Sequence, residues 1–173
     1  NIEKLFLNKW HDDDYYKTVN FIGGVMSGPY EGIRVLELTS TVSGPFAGMM
    51  LADQGAEVIK VEPPGIGDLA RFMGTIKDGM GAMFSTLNRN KKCICLDFKN
   101  EEDLDALKEL VSTADVLIEN YRPGIVKKLG IDYESLSQIN PDLIYCSISG
   151  YGQSGPYKEK KVYDPLIQGT VGI

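Results

Sequence analysis

The chain has 173 residues, 43% of them hydrophobic and 24% charged, the balance of an ordinary globular protein with one real core. The formal charge is −6 with no basic tail. That argues against nucleic acid or an anionic membrane surface as a partner, but a few local lysines or a helix N-terminus still suffice for a phosphate ligand. No run approaches the roughly 20 apolar residues of a membrane span.

The chain opens on Asn1-Ile2-Glu3-Lys4, without an initiator Met or a basic-then-apolar leader. It is expected to be processed or part of something longer. Residues 1–30 read as an extension or linker. Leu5, Phe6 and Trp10 have helical spacing, His11 to Asp14 is a solvated run, and Gly23-Gly24 and Ser27-Gly28-Pro29 are turn signals. Residues 31–173 read as one domain.

Ile33 to Leu38 has the composition of a strand covered on both faces. Ser43 with Pro45 marks a helix start, Phe46, Met49 and Met50 are spaced for one helix face, and Gly55 stops the helix. Glu57 to Val61 is the next strand, completing a right-handed βαβ unit. Lys92 to Phe98 alternates as a strand, with Cys93 and Cys95 on one face. Asn100 caps a helix, with Asp103 as its box partner and Leu104, Leu107, Leu110 and Val111 as its apolar stripe. Asp115 to Glu119 is a strand, Pro123 opens a short helix that ends before Gly130, and Asp132 caps another with Leu136 and Ile139 inward. Leu143 to Ile148 reads as a buried strand. The alternation predicts an α/β fold, an open and mostly parallel sheet with helices on both faces.

The three cysteines, Cys93, Cys95 and Cys146, form no CxxC pair and read as small fillers in a reduced cytoplasmic protein. With His11 as the single histidine, no metal site and no His-based triad is expected.

Ligands of open parallel sheets bind where strands end and helices begin. Five loops stand out: Thr39 to Pro45, Glu62 to Asp68, Asn88 to Lys92 with Lys99 beyond it, Glu119 to Gly124, and Gly150 to Asp164. The first offers a helix N-terminus to an anion but lacks the GxGxxG fingerprint of a dinucleotide site. The third suits phosphate oxygens or a plain solvated turn. The fourth joins an aromatic, an arginine and a helix start. The last is rich in glycine and proline.

These runs in order resemble family III CoA-transferases: Gly32 to Leu38, Gly55 to Pro64, Gly67-Asp68, Asn90-Lys91-Lys92, Asp115 to Gly124, and Ser149-Gly150-Tyr151-Gly152. The resemblance covers about residues 30–173. It implies a Rossmann-like domain that binds coenzyme A, a smaller domain after it, and two subunits interlocked as a homodimer. The substrates it implies are an acyl-CoA and a carboxylic acid, with no tightly bound cofactor. It also implies that Val42 and Ser43 line CoA, that Leu96, Asp97, Phe98 and Lys99 lie beside its adenine and phosphates, and that Asn120, Tyr121 and Arg122 contact it. Lys128 stands at the place of a phosphate-binding arginine and Lys161 at that of a CoA-contacting lysine. Lysine keeps the charge but not the bidentate fork. Pro63 replaces a basic residue, for which Arg71 is a candidate substitute.

The family's nucleophile is an aspartate that takes up the acyl group and then CoA. By family spacing it lies beyond Ile173, and Tyr163 and Asp164 are its active-site neighbours. The related α-methylacyl-CoA racemases carry a histidine base where this chain has Tyr163, a poor base near neutral pH. The transferase is therefore the leading reading. A racemase-type enzyme or a non-catalytic CoA-binding partner subunit are the alternatives.

Overall fold

The computed structural model describes residues 27–173. The expectations for Asn1 to Trp10, for His11 to Asp14 and for Gly23-Gly24 lie outside them. The chain forms strands β1 (Arg34–Leu38), β2 (Glu57–Glu62), β3 (Ile76–Lys77), β4 (Met80–Gly81), β5 (Lys91–Cys95), β6 (Val116–Glu119) and β7 (Ile144–Ser147). Five of them make one sheet, parallel throughout, in the order β5-β2-β1-β6-β7. β3 and β4 pair as a small antiparallel ribbon. Helices α1 (Ser43–Ala52), α2 (Ala82–Leu87), α3 (Glu101–Val111), α4 (Ile125–Leu129), α5 (Tyr133–Leu136) and α6 (Asp164–Val171) make the connections. A 3-10 turn, Leu69–Phe72, precedes β3.

Period-two alternation divides each central strand between two cores. Leu36, Leu38, Ile59, Val61 and Leu117 join Leu107, Leu110 and Val111 of α3 in the larger cluster. Val35, Val58 and Ile118 join Ala52 and Ala56 in a smaller one on the α1 face. Each fully buried Leu, Ile or Val among them contributes about 1.5–3 kcal/mol. Asn100 caps α3 by accepting from the Glu102 N–H at 2.9 Å, and Asp132 caps α5 through the Ser135 N–H at 3.2 Å.

Several expectations change. Val42, not Ser43, is the N-cap of α1, and no side chain caps it. Phe46 and Met50 point outward, each 48% exposed. The inward face is Gly44, Pro45, Gly48, Met49 and Ala52. Two glycines sit there because β1 passes directly beneath: a Cβ on Gly44 would strike the Thr39 side chain, and one on Gly48 the Glu37 carboxylate. Asp103 does not close a capping box; its carboxylate accepts from the Asp97 N–H at 2.8 Å. Ile139 is exposed. β5 ends at Cys95, so Asp97 and Phe98 lie in the turn that follows. β7 is an edge strand whose α1-side residues, Ile144 and Cys146, are open. Cys146 is thus no core filler, whereas Cys93 and Cys95 are half-buried.

Candidate functional site

Because the five strands are parallel, all their C-terminal ends meet at one edge. The chain steps from β1 outward to β2 and β5, then returns to pair β6 against the other side of β1. The strand order therefore reverses between β1 and β6, where doubly wound sheets open a ligand crevice. The loops after those two strands flank the switch point.

The β1–α1 loop is held from both sides. The Asn120 carboxamide, after β6, accepts from the Ser40 N–H at 3.0 Å and donates to the Ser40 carbonyl at 2.9 Å. Asp68, after β2, accepts from the Thr41 N–H at 2.9 Å and from the Ala70 N–H at 2.9 Å. Lys60 donates to the Thr39 carbonyl at 2.8 Å, and the Thr39 hydroxyl donates to Glu37 at 2.8 Å. Beyond the clamp, Asn120 Nδ2 comes within 3.5 Å of the Ser43 hydroxyl.

A buried ionic cluster stands behind this loop. Lys60 Nζ lies 3.0 Å from Glu37 Oε1 and 2.9 Å from Asp68 Oδ2, and Lys91 Nζ lies 2.7 Å from Glu37 Oε2. Lys60 and Glu37 are wholly buried, and Asp68 is 1% exposed. Such charges persist in a core only when paired and hydrogen-bonded. Burial works to lower the Lys60 pKa, but Glu37 and Asp68 outweigh it and hold the ammonium above its ordinary value. Burial works to raise Asp68; Lys60 and the Ala70 N–H keep it below the usual carboxylate range. Burial pulls Lys91 down to about 8 despite Glu37. The sequence reading did not single out Lys60 or Glu37. Their signal is a charge in the middle of a strand that is covered on both faces, with Glu37 and Lys60 directly paired in register.

The remaining loops join the same rim. Glu119, at the end of β6, accepts from the Tyr121 N–H at 2.8 Å, while its Oε1 is buried without a hydrogen-bond partner among the described residues. Burial pushes its carboxyl up, and the Ser147 hydroxyl and Tyr121 N–H offset this only in part. Gln153, in the loop after β7, donates to the Ser147 hydroxyl at 2.6 Å. The Tyr121 ring packs against the larger core, and burial pushes its phenol up.

Of the residues singled out in the sequence, Val42, Ser43, Asn120, Tyr121 and Arg122 flank the switch point, with Val42, Ser43 and Arg122 exposed. Leu96 is a core side chain, Phe98 packs against that core, the Asp97 carboxylate accepts from the Lys99 N–H, and Lys99 is exposed. Lys128, in α4, and Lys161, before α6, are exposed. Tyr163 is 74% exposed as the N-cap of α6, and Asp164 accepts from Gln168 within the same helix.

Two basic candidates are otherwise engaged. The run Asn88 to Lys92 lies at the N-terminal end of β5, away from the rim. Arg89 pairs with Asp53, Lys91 with Glu37 and Lys92 with Glu57. Arg71 binds Glu62 through two hydrogen bonds, 2.8 and 2.7 Å, and stacks on Phe84. It braces the β2 loop and is not a spare phosphate ligand. By contrast, Lys99, Arg122, Lys127, Lys128 and Lys161, on segments that leave the rim, have no carboxylate partner among the described residues. Those residues also hold no cluster fit for a metal ion and no helix long and apolar enough to cross a membrane.

Residues 30–173 match the model of CoA-transferase family III. The chain belongs to that family. This family III chain is 46% identical over 146 residues to an acetyl-CoA:oxalate CoA-transferase of Acetobacter aceti, covering 84% of this chain and 38% of the relative. It is 44% identical over 146 residues to the human succinyl-CoA:glutarate CoA-transferase, covering 84% and 33%. The crystal structure of a CAIB/BAIF family protein from Brucella suis superposes with a TM-score of 0.81 at 47% identity, covering 85% of this chain and 40% of that one. The chain thus spans between a third and two-fifths of the length of these relatives.

Proposed function

We propose that residues 31–173 are the CoA-binding domain of an enzyme that moves coenzyme A between carboxylic acids through an aspartyl-CoA intermediate. The nucleophilic aspartate of this reading lies beyond Ile173. The observation that carries it is the charge contrast across the sheet. Cations at the N-terminal edge are neutralised by Glu57 and Asp53, while Lys99, Arg122, Lys127, Lys128 and Lys161, on segments that follow the strands' C-terminal ends, have no carboxylate partner among the described residues. A nucleotide thiol carrying phosphates supplies the missing anions.

Val42 and Ser43 present the start of α1 to that ligand, and Asn120, Tyr121 and Arg122 form the facing wall. Leu96, Asp97, Phe98 and Lys99 flank its adenine end. Because the Leu96 side chain is in the core, that residue serves through its backbone. Lys128 and Lys161 add phosphate contacts, and Tyr163 and Asp164 stand beside the acyl centre. No resident cofactor is invoked. The enzyme is read as an interlocked homodimer of the cytoplasm, where its free thiols stay reduced.

The reading is tested with the full-length polypeptide, an acyl-CoA donor and a carboxylic acid acceptor. Ping-pong exchange is expected, and replacing the downstream aspartate abolishes it. Titration with free CoA gives saturable binding that Arg122→Ala and Lys128→Ala weaken and salt screens. Absence of CoA binding in the intact protein overturns the assignment.

A further inference from the structure

Thr41 has φ +72°. For a β-branched residue this left-handed conformation is an outlier that costs free energy. The other non-glycine residues of positive φ among those described are Asp78 and Asn90, types that tolerate it. Strained backbone persists where its surroundings over-determine it, and it gathers at functional sites. Thr41 is over-determined: Asn120 fixes both polar groups of the Ser40 backbone, Asp68 takes the Thr41 N–H, and Lys60 takes the Thr39 carbonyl. Two residues later α1 begins, and its N-cap, Val42, makes no side-chain cap hydrogen bond.

We propose that Asp68 is the positioning residue of this loop: with Lys60 behind it and Asn120 opposite, it holds Thr41 left-handed and so aims the open first turn of α1 at the ligand. The inference rests on the CoA-binding reading of the rim. Asp68 suits the task because one oxygen is spent on Lys60, 2.9 Å away, leaving the other for the Thr41 and Ala70 N–H groups. The Asp68 N–H is itself held by Glu62 at 2.8 Å. The carboxylate cannot turn away without abandoning a buried ammonium. A network that served stability alone would gain nothing by enforcing strain on a threonine.

The test is a double-mutant cycle in the full-length polypeptide, with free CoA titrated by calorimetry and melting temperatures recorded in parallel. Asp68→Ala frees Thr41 to relax and weakens CoA binding about tenfold, the scale of one strained residue. Thr41→Gly alone raises the melting temperature, because glycine adopts positive φ without penalty. Adding Thr41→Gly to Asp68→Ala recovers at least about threefold of the lost affinity, a rescue that a purely structural role would not produce. The proposal is overturned if Asp68→Ala binds CoA as tightly as the wild type, if the double variant binds no better than Asp68→Ala, or if Thr41→Gly lowers the melting temperature. Should Asp68→Ala fail to fold, Asp68→Asn, which keeps the shape but loses the ion pair, replaces it with the same expected outcomes. A wild type that does not bind CoA condemns the functional reading instead, so the two failures are distinct.

Discussion

Lys60 shows what a single buried charge does here. Its ammonium reaches Glu37, Asp68 and the Thr39 carbonyl. Lys60→Met keeps most of the volume and leaves two buried carboxylates with one cation fewer, so it is expected to destabilise the fold by roughly 3–5 kcal/mol; chemical denaturation measures this. Glu119 is the opposite case, a buried carboxylate without a cation among the described residues. Burial raises its folded pKa above 4.5. Between the unfolded value and that raised value the folded state binds more protons. This contribution to stability is therefore full below about 4.5 and fades as pH rises through the folded pKa. Glu119→Gln removes the charge and keeps an acceptor for the Tyr121 N–H. It is expected to melt higher than the wild type at pH 7, by a gain of about 1 kcal/mol, and to lose that advantage near pH 4.5. A lower melting temperature at pH 7 would show that the carboxylate has a partner worth more than its desolvation.

At the scale of elements, α1 separates what was legible in the sequence from what was not. Its existence and its start near Ser43 followed from the Ser-Gly-Pro signal and the glycine stop, but its orientation did not. Phe46, Met49 and Met50 have helical spacing, yet only Met49 is buried, because the inward stripe runs through Gly44, Pro45, Gly48, Met49 and Ala52, with the glycines at the closest approach. Apolar periodicity reports a buried face only where large side chains fill the gap, and at Gly44 and Gly48 the helix lies too close to β1 for any side chain. Gly48→Ala tests this. An exposed helix would gain about 1 kcal/mol from alanine. Here the new methyl meets Glu37 and Lys91, and a net loss of about 1–3 kcal/mol in unfolding free energy is expected. The same limit hid the ionic cluster. Alternation told which strand residues share a face, but only the register showed Glu37 beside Lys60. The segment between β2 and β5 gave no periodic signal because its 3-10 turn, ribbon and α2 are too short to have one. Loop chemistry was legible where it depended on local residues, as at the Asn100 and Asp132 caps. It was not where partners lay far apart in sequence, as with Asn120 and Ser40.

At the scale of the whole molecule, a parallel sheet is stable when both faces are covered. The α3 face meets this condition with a large cluster, whereas among the described residues the α1 face has a smaller one that leaves the β7 edge open. In register, Ile144 lies beside Val116 and Cys146 beside Ile118, on the α1 side. Ile144 is 64% exposed and Cys146 is exposed as well. α1 turns Phe46 and Met50 outward, and α6 buries none of its residues, Leu166 and Val171 included. The 3-10 turn and ribbon add Leu69, Phe72 and Ile76. Exposed apolar side chains of this size and number mark an interface, and relatives of whose length this chain spans 38% and 33% carry further polypeptide with which such surface can be covered. A polypeptide ending at Ile173 is therefore expected to self-associate, with an apparent mass in sedimentation that rises with concentration. Ile144→Lys puts a charge on the open edge strand, a standard block to edge pairing, and should lower that mass toward the monomer's. In the full-length protein the same substitution should lower the melting temperature, because it then buries a lysine under its cover. A sharp monomeric boundary across micromolar concentrations for the shorter polypeptide would mean that the open face is tolerated without a cover.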